Sequence, residues 1–115
     1  FWFHFSNATF MTNGMMGLVA QSLGATAAPP FVADRVAKAW AMTEARLGEA
    51  EFFGGRNLTT ADIMMGFNLT TSRAFGGMSL EAFPNIAAYL QRIGQRPAYQ
   101  RAMAKAEPGM APMLS

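Results

Sequence analysis

The sequence predicts an all-α domain, a helical bundle of about five helices. Two observations carry that prediction. Apolar residues recur at three- and four-residue spacing through most of the chain, and no apolar/polar alternation of the strand kind runs beyond four residues. Glycine and proline then cut the periodic stretches into helix-sized pieces at Gly24, Pro29-Pro30, Gly48, Gly54-Gly55, Gly76-Gly77, Pro84, Gly94 and Pro97.

The first predicted helix covers residues 1–23. Phe1, Phe5, Thr9, Thr12 and Met16 share one side at helical spacing, while Trp2, Ser6 and Phe10 mark a second face. Gly14 and Gly17 weaken it by about 1 kcal/mol each, so a kink is expected there, and Gly24 ends it. Pro30 suits the first turn of a second helix with a stripe at Val32, Val36, Trp40, Thr43 and Leu47 and a candidate C-terminal cap at Gly48. The third runs from Thr60 to about Arg73, with Ile63, Met64, Phe67 and Thr71 expected inward and Gly76-Gly77 as its stop. Residues 79–83 read as a short helical turn. Pro84 opens a fourth helix with Ile86, Tyr89, Leu90 and Ile93 inward and Gly94 as the residue past its end. Pro97 opens a fifth, with Tyr99, Ala102 and Met103 as its apolar side. Residues 108–115 are expected to form a loose tail.

At 115 residues the chain fits one domain, and its 51% hydrophobic and 14% charged content argues for a packed core. There is no cysteine and one histidine, His4, so neither a disulfide framework nor a metal site of the usual zinc type is expected. A net charge of +2 is too small to imply a nucleic-acid partner. No run of apolar residues is long enough to cross a membrane, and no basic segment precedes the short apolar stretch at residues 14–20. A cytoplasmic location without membrane partners fits this inventory. The chain opens directly into Phe1-Trp2-Phe3-His4-Phe5 with no capping residue ahead, so it is expected to be cut from something longer.

The sharpest local signal is Leu58-Thr59-Thr60-Ala61-Asp62-Ile63. Thr59 and Asp62 have the spacing of a capping box, in which the hydroxyl accepts from the Asp62 N–H and the carboxylate accepts from the Thr59 N–H. Leu58 and Ile63 hold the flanking positions of a hydrophobic staple. This role is structural. No residue pattern here assembles an acid/base pair, a nucleophile or a phosphate loop, so no catalytic residue is assigned and no metal is expected. The ten methionines and ten phenylalanines fill a core or wall an adaptable apolar pocket. Phe5, Met11, Met15 and Met16 form one candidate wall, with Thr9 and Thr12 as polar contacts. Trp2, Ser6 and Phe10 form the other, and periodicity does not choose between them.

Several of these pieces together resemble the C-terminal helical domain of a cytosolic glutathione transferase, of the bacterial and fungal kind. They are Phe1 to Phe5, the run Phe53-Gly54-Gly55-Arg56-Asn57-Leu58-Thr59-Thr60-Ala61-Asp62-Ile63, Phe83-Pro84 with Tyr89, and Arg96-Pro97-Ala98-Tyr99. Their order and spacing match over nearly the whole chain. The resemblance implies that residues 1–107 are that domain and that an N-terminal thioredoxin-like domain, which binds glutathione and holds the catalytic residue, is absent here. It implies an intact protein that conjugates glutathione, as co-substrate, to small apolar electrophiles and forms a homodimer. This chain alone would hold no cofactor and turn nothing over. By the same resemblance Phe5, Thr9, Thr12 and Met16 are candidate substrate-site residues. Asn7 stands where many relatives carry an acid, so it is a candidate glutathione contact without the charge. The alternative is a non-catalytic interaction module of the kind attached to translation factors or aminoacyl-tRNA synthetases. A free-standing binder of small apolar ligands is a third reading.

Overall fold

The computed structural model describes residues 1–76 and 78–115, and it is all-helical, without strands among them. The first helical stretch has three parts: α1 (Trp2–Phe5), a π-helical turn (Ser6–Met11) and α2 (Thr12–Ser22). Then follow α3 (Pro30–Glu49), α4 (Thr60–Gly76), α5 (Pro84–Gly94) and α6 (Pro97–Ala106). The N-terminal half of the first stretch lies mainly against α4 and its C-terminal half against α3; α5 packs on α3 and α4, and α6 adjoins α5. No described helix is long and apolar enough to cross a membrane.

Helix ends follow the expected punctuation in part. Gly24, at φ +87°, takes the left-handed position after α2. Its N–H donates to the Gln21 carbonyl and the Ala25 N–H to the Ala20 carbonyl, which satisfies two orphan acceptors of the last turn. Prolines occupy the first turns of α3, α5 and α6, where a missing N–H costs nothing. Gly48 and Gly94 are not caps. Gly48 lies inside α3, where a Cβ would press on the Asn85 amide at 3.0 Å, and Gly94 lies inside α5, where the Leu114 side chain fills the space of a Cβ. Both are small because another element comes close, a cause that leaves no local trace in sequence. Gly77, half of the predicted stop after α4, lies outside the described residues.

The core is continuous and largely aromatic. Ring centroids connect Phe83 to Trp40 (5.2 Å), Trp40 to Phe10 (5.2 Å) and Phe10 to Phe5 (6.4 Å). From there Phe5 meets Trp2 (5.0 Å), Trp2 meets Phe53 (5.2 Å) and Phe53 meets Tyr89 (5.3 Å). Met65, Leu69, Ile86, Leu90 and Ile93 pack around this chain. The α3 stripe is buried at Val32, Trp40, Thr43 and Leu47, and the α5 stripe at all four expected positions. The face expected inward on α4 is a correction: Ile63 and Phe67 are 64% and 60% exposed, and the helix instead buries Ala61, Asp62, Met65, Asn68, Leu69 and Arg73. Three of those six are polar, so a pattern built on apolar residues alone selects the wrong side.

Asp62 shows why that side wins. Its carboxylate is 1% exposed and is surrounded by donors. One oxygen accepts from the Phe53 N–H at 2.8 Å; the other accepts from the Thr59 N–H at 2.8 Å and the Thr59 hydroxyl at 2.9 Å. The Tyr89 hydroxyl donates to the Asp62 carbonyl at 3.1 Å and lies 3.4 Å from the carboxylate. The capping arrangement thus differs from the expected one. The threonine hydroxyl donates to the carboxylate, and the Asp62 N–H turns to the Thr59 carbonyl at 3.0 Å. Leu58 is half-buried against the core while Ile63 stays mostly in water.

The loop that delivers the chain to this corner is held from α3 and from α5. Arg46 of α3 donates to the Phe53 carbonyl at 2.9 and 3.3 Å, and Arg92 of α5 donates to the Glu51 carbonyl at 3.0 Å. Gly54 is required there because a Cβ would collide with the Thr59 methyl. Residues 108–115, expected to be a loose tail, hold no helix and are exposed except for Leu114, which reaches α5. Leu114 sits on Gly94, and its carbonyl accepts from the Gln91 amide at 3.1 Å.

Candidate functional site

The first helical stretch bends its own register before it reaches the site. Ser6 to Met11 form a π-turn, with bonds to the fifth residue back instead of the fourth. A widened turn loosens carbonyls that need other donors. The buried Asn68 amide of α4 donates to the Ser6 carbonyl at 3.2 Å and to the Ser6 hydroxyl at 2.7 Å. Further along, the Thr12 hydroxyl donates to the Asn7 carbonyl at 2.7 Å and the Asn13 amide to the Thr9 carbonyl at 2.6 Å. The irregularity in this stretch is thus a π-turn ahead of Gly14 and Gly17, where a kink was expected, and a partner helix supplies the side chain that satisfies it.

Beyond the π-turn, α2, α3 and α4 line a half-open cavity of about 570 Å³. Its wall is apolar over most of its extent: Phe10, Met11, Met15 and Leu18 on one side, Val32, Val36 and Trp40 on the second, Phe67 and Phe75 on the third. Gly14 and Gly17 also line it, leaving room where side chains would stand. Polar groups are few, namely Gln21, Asn68, Thr71 and Arg73. This volume and this ratio of apolar wall to convergent polar groups are those of a small-molecule site.

Arg73 is the one charged residue among those lining the cavity, and it is 6% exposed. Its Nε donates to the Met78 carbonyl at 3.2 Å and its terminal nitrogens to the Met113 carbonyl and a main-chain oxygen of Ser115, the last residue of the chain. Burial pulls its pKa below the ordinary arginine value, because the charged form loses hydration. Tyr89, outside the cavity, is shifted upward. Burial is the main cause, and the adjacent Asp62 carboxylate adds to it by disfavouring a second negative charge.

The sequence-based candidates are distributed differently from expectation. Phe5 is buried in the core, in contact with the rings of Phe1, Trp2 and Phe10. Asn7 and Thr9 are half-buried in the π-turn, and their carbonyls receive the side chains of Thr12 and Asn13. Thr12 and Met16 are exposed and face a separate open groove on α2 with Met11, Met15, Val19 and Leu23. None of Phe5, Thr9, Thr12 and Met16 lines the main cavity, and neither does Asn7. Of the second candidate face only Phe10 reaches it, while Trp2 and Ser6 do not. Each face contributes one part because the π-turn rotates the residues after it relative to those before. Asn68, Leu18 and Arg73 went unassigned in the sequence. The first and last are polar residues on the buried side of α4, and nothing in their local spacing marks them as such.

No three residues among His, Asp and Glu gather to hold a metal among the described residues. Among the residues lining the cavity, no nucleophile stands beside a His, Asp or Glu side chain.

Comparisons with known proteins agree with this architecture. The family model for "Glutathione S-transferase, C-terminal domain" matches residues 7–97. No curated protein matches the chain. Among solved structures, a glutathione S-transferase from Actinobacillus pleuropneumoniae superposes with a TM-score of 0.78 at 24% sequence identity. That match covers 98% of this chain and 54% of the other, so the chain spans about half the length of its structural neighbour.

Proposed function

The chain belongs to the glutathione S-transferase C-terminal domain family, and on that premise we propose that it supplies the apolar substrate wall of a glutathione-conjugating enzyme. The observation that carries the reading is the cavity of about 570 Å³ between α2, α3 and α4, with its apolar wall. In the intact enzyme a second domain would bind glutathione and favour its thiolate. This domain would hold the electrophile beside the sulfur, which is catalysis by proximity. Met11 and Met15 suit varied substrates because the thioether chain adapts its shape. Phe5, Thr9, Thr12 and Met16 would then act at second hand, by setting the register of the helix that carries Phe10, Met11 and Leu18. Homodimerisation and a cytoplasmic setting accompany the same reading. Nothing in the comparisons favours an assembly module.

The test is calorimetric titration of the 115-residue chain with a neutral aryl halide such as 1-chloro-2,4-dinitrobenzene, kept free of glutathione. Saturable binding at one site is expected, weakened in Val36→Trp, whose indole takes up part of the cavity and narrows it beside Trp40. A helical, cooperatively folded chain that takes up no aryl halide would sink the reading. With glutathione added, the expected turnover is zero, and measurable conjugation by the chain alone would show that chemistry resides in it.

A further inference from the structure

Three thioethers stand on the cavity wall where an oxidant can reach them. Met11 and Met15 of the first helical stretch and Met78 beyond α4 all line the cavity. They are 39%, 52% and 37% exposed, whereas Met65 in the core is fully buried. The chain has no cysteine, so no thiolate competes with these sulfurs for an oxidant. Filling space does not by itself require sulfur at this place, because Leu18, one turn beyond Met15, serves the same wall as a plain hydrocarbon. What sulfur adds is a redox change that turns an apolar side chain into a polar one.

The surroundings make that change costly to ligand binding. Val36, Trp40 and Phe67 face the cavity with hydrocarbon and ring surface. No lysine or arginine occurs before Arg35, so the helix of Met11 and Met15 carries no cationic donor for a sulfoxide oxygen. A sulfoxide formed here therefore keeps its hydrogen bonds only by holding water in the cavity or by swinging out of the wall. Either way the apolar surface offered to a ligand shrinks.

We propose that Met11, Met15 and Met78 form a methionine oxidation site that switches the cavity between a tight and a weak state for apolar ligands, with hydrogen peroxide as the oxidant. The proposal rests on reading the cavity as the ligand wall and adds its regulation. In each step a sulfur lone pair attacks one peroxide oxygen, the S–O bond forms and the O–O bond breaks. The departing hydroxide takes the proton of the transferred oxygen and leaves as water. Sulfur is oxidised by two electrons, and the peroxide is reduced by two. Methionine sulfoxide reductases reverse the change, one enzyme for each sulfoxide epimer.

The experiment treats the full chain with hydrogen peroxide, removes the excess with catalase, and follows two readouts. Peptide mass spectrometry locates the added oxygen, and calorimetry with 1-chloro-2,4-dinitrobenzene measures binding. One oxygen is expected on each of Met11, Met15 and Met78 and none on Met65, with affinity falling roughly tenfold and returning after treatment with both reductases. Met11→Leu/Met15→Leu/Met78→Leu should hold its own starting affinity through the peroxide treatment. Met42→Leu/Met110→Leu removes exposed methionines away from the cavity and should still show the fall. Oxidation of the three wall residues with undiminished binding would overturn the switch and leave the cavity reading intact. A fall that persists in the triple variant would place its cause elsewhere and also overturn it, as would three wall residues that stay unoxidised. An untreated, folded chain that binds no aryl halide would remove the cavity reading and the switch together. Should the triple variant fail to fold, Met15→Leu decides: a smaller fall than in the unsubstituted chain supports the site, and an equal fall sinks it.

Discussion

Asp62 concentrates more of the structure than any other single residue. Four donors from three segments meet its carboxylate or carbonyl: two backbone N–H groups and the hydroxyls of Thr59 and Tyr89. Asp62→Ala strands the buried Phe53 N–H and the half-buried Thr59 N–H at once, so a loss of about 3 kcal/mol is expected in urea melts. Thr59→Ala removes one hydroxyl whose partner keeps its other donors, and about 1 kcal/mol is expected. Equal losses would mean that the box is the local device its spacing suggests and not a junction. Tyr89 adds a pH dependence. Its pKa is raised in the folded chain above the ordinary value of about 10. The unfolded chain therefore gives up this proton first, and the stability that neutral Tyr89 contributes is complete below about pH 10 and falls as pH rises beyond it. The expected slope approaches 1.4 kcal/mol per pH unit, about one proton's worth. Tyr89→Phe should flatten it in melts taken from about pH 9 to about pH 11, and an unchanged slope would refute the assignment.

At the scale of elements, helix starts were legible and helix faces only partly so. Prolines at first turns and the Thr59–Asp62 spacing act within four residues, so their effect is written locally. The α5 start shows the limit. Pro84 announces it, but the acceptor that satisfies its N–H groups is Glu44 of α3, at 2.9 Å from the Asn85 nitrogen and 3.0 Å from that of Ile86. Forty-one residues separate the partners, and no spacing rule reaches that far. Glu44→Ala should cost about 1–2 kcal/mol, and Glu44→Gln less, because an amide oxygen still accepts. A neutral outcome for Glu44→Ala would mean that water replaces the carboxylate. The face of α4 was misread because Asp62, Asn68 and Arg73 look like surface residues until their partners are known. The cavity wall was misread because the π-turn breaks the 3.6-residue period on which the reading of the first stretch depends.

For the whole molecule, the all-α class followed from helical periodicity and the absence of strand alternation, and the family resemblance from four pieces in order, the run around the buried corner the most specific of them. The site did not follow, since it is lined by three helices and each wall is set by packing at long range. The tail belongs to this scale as well. Leu114 closes on Gly94, and Arg73 holds main-chain oxygens of Met113 and Ser115, so residues 113–115 connect α5 to the cavity wall. Leu114→Ala should therefore lower stability by about 1 kcal/mol, the worth of a partly buried aliphatic group, and no change would show that the tail contributes nothing. The string of touching rings has an optical consequence. Trp2 sits beside Phe53, one ring from Tyr89, while Trp40 forms part of the cavity wall. The two indoles thus watch opposite ends of one core. With Trp2 replaced by Phe, emission reports what enters the cavity; with Trp40 replaced, it follows the Asp62 corner as it opens. One fluorimeter can then tell ligand entry from unfolding in the same chain.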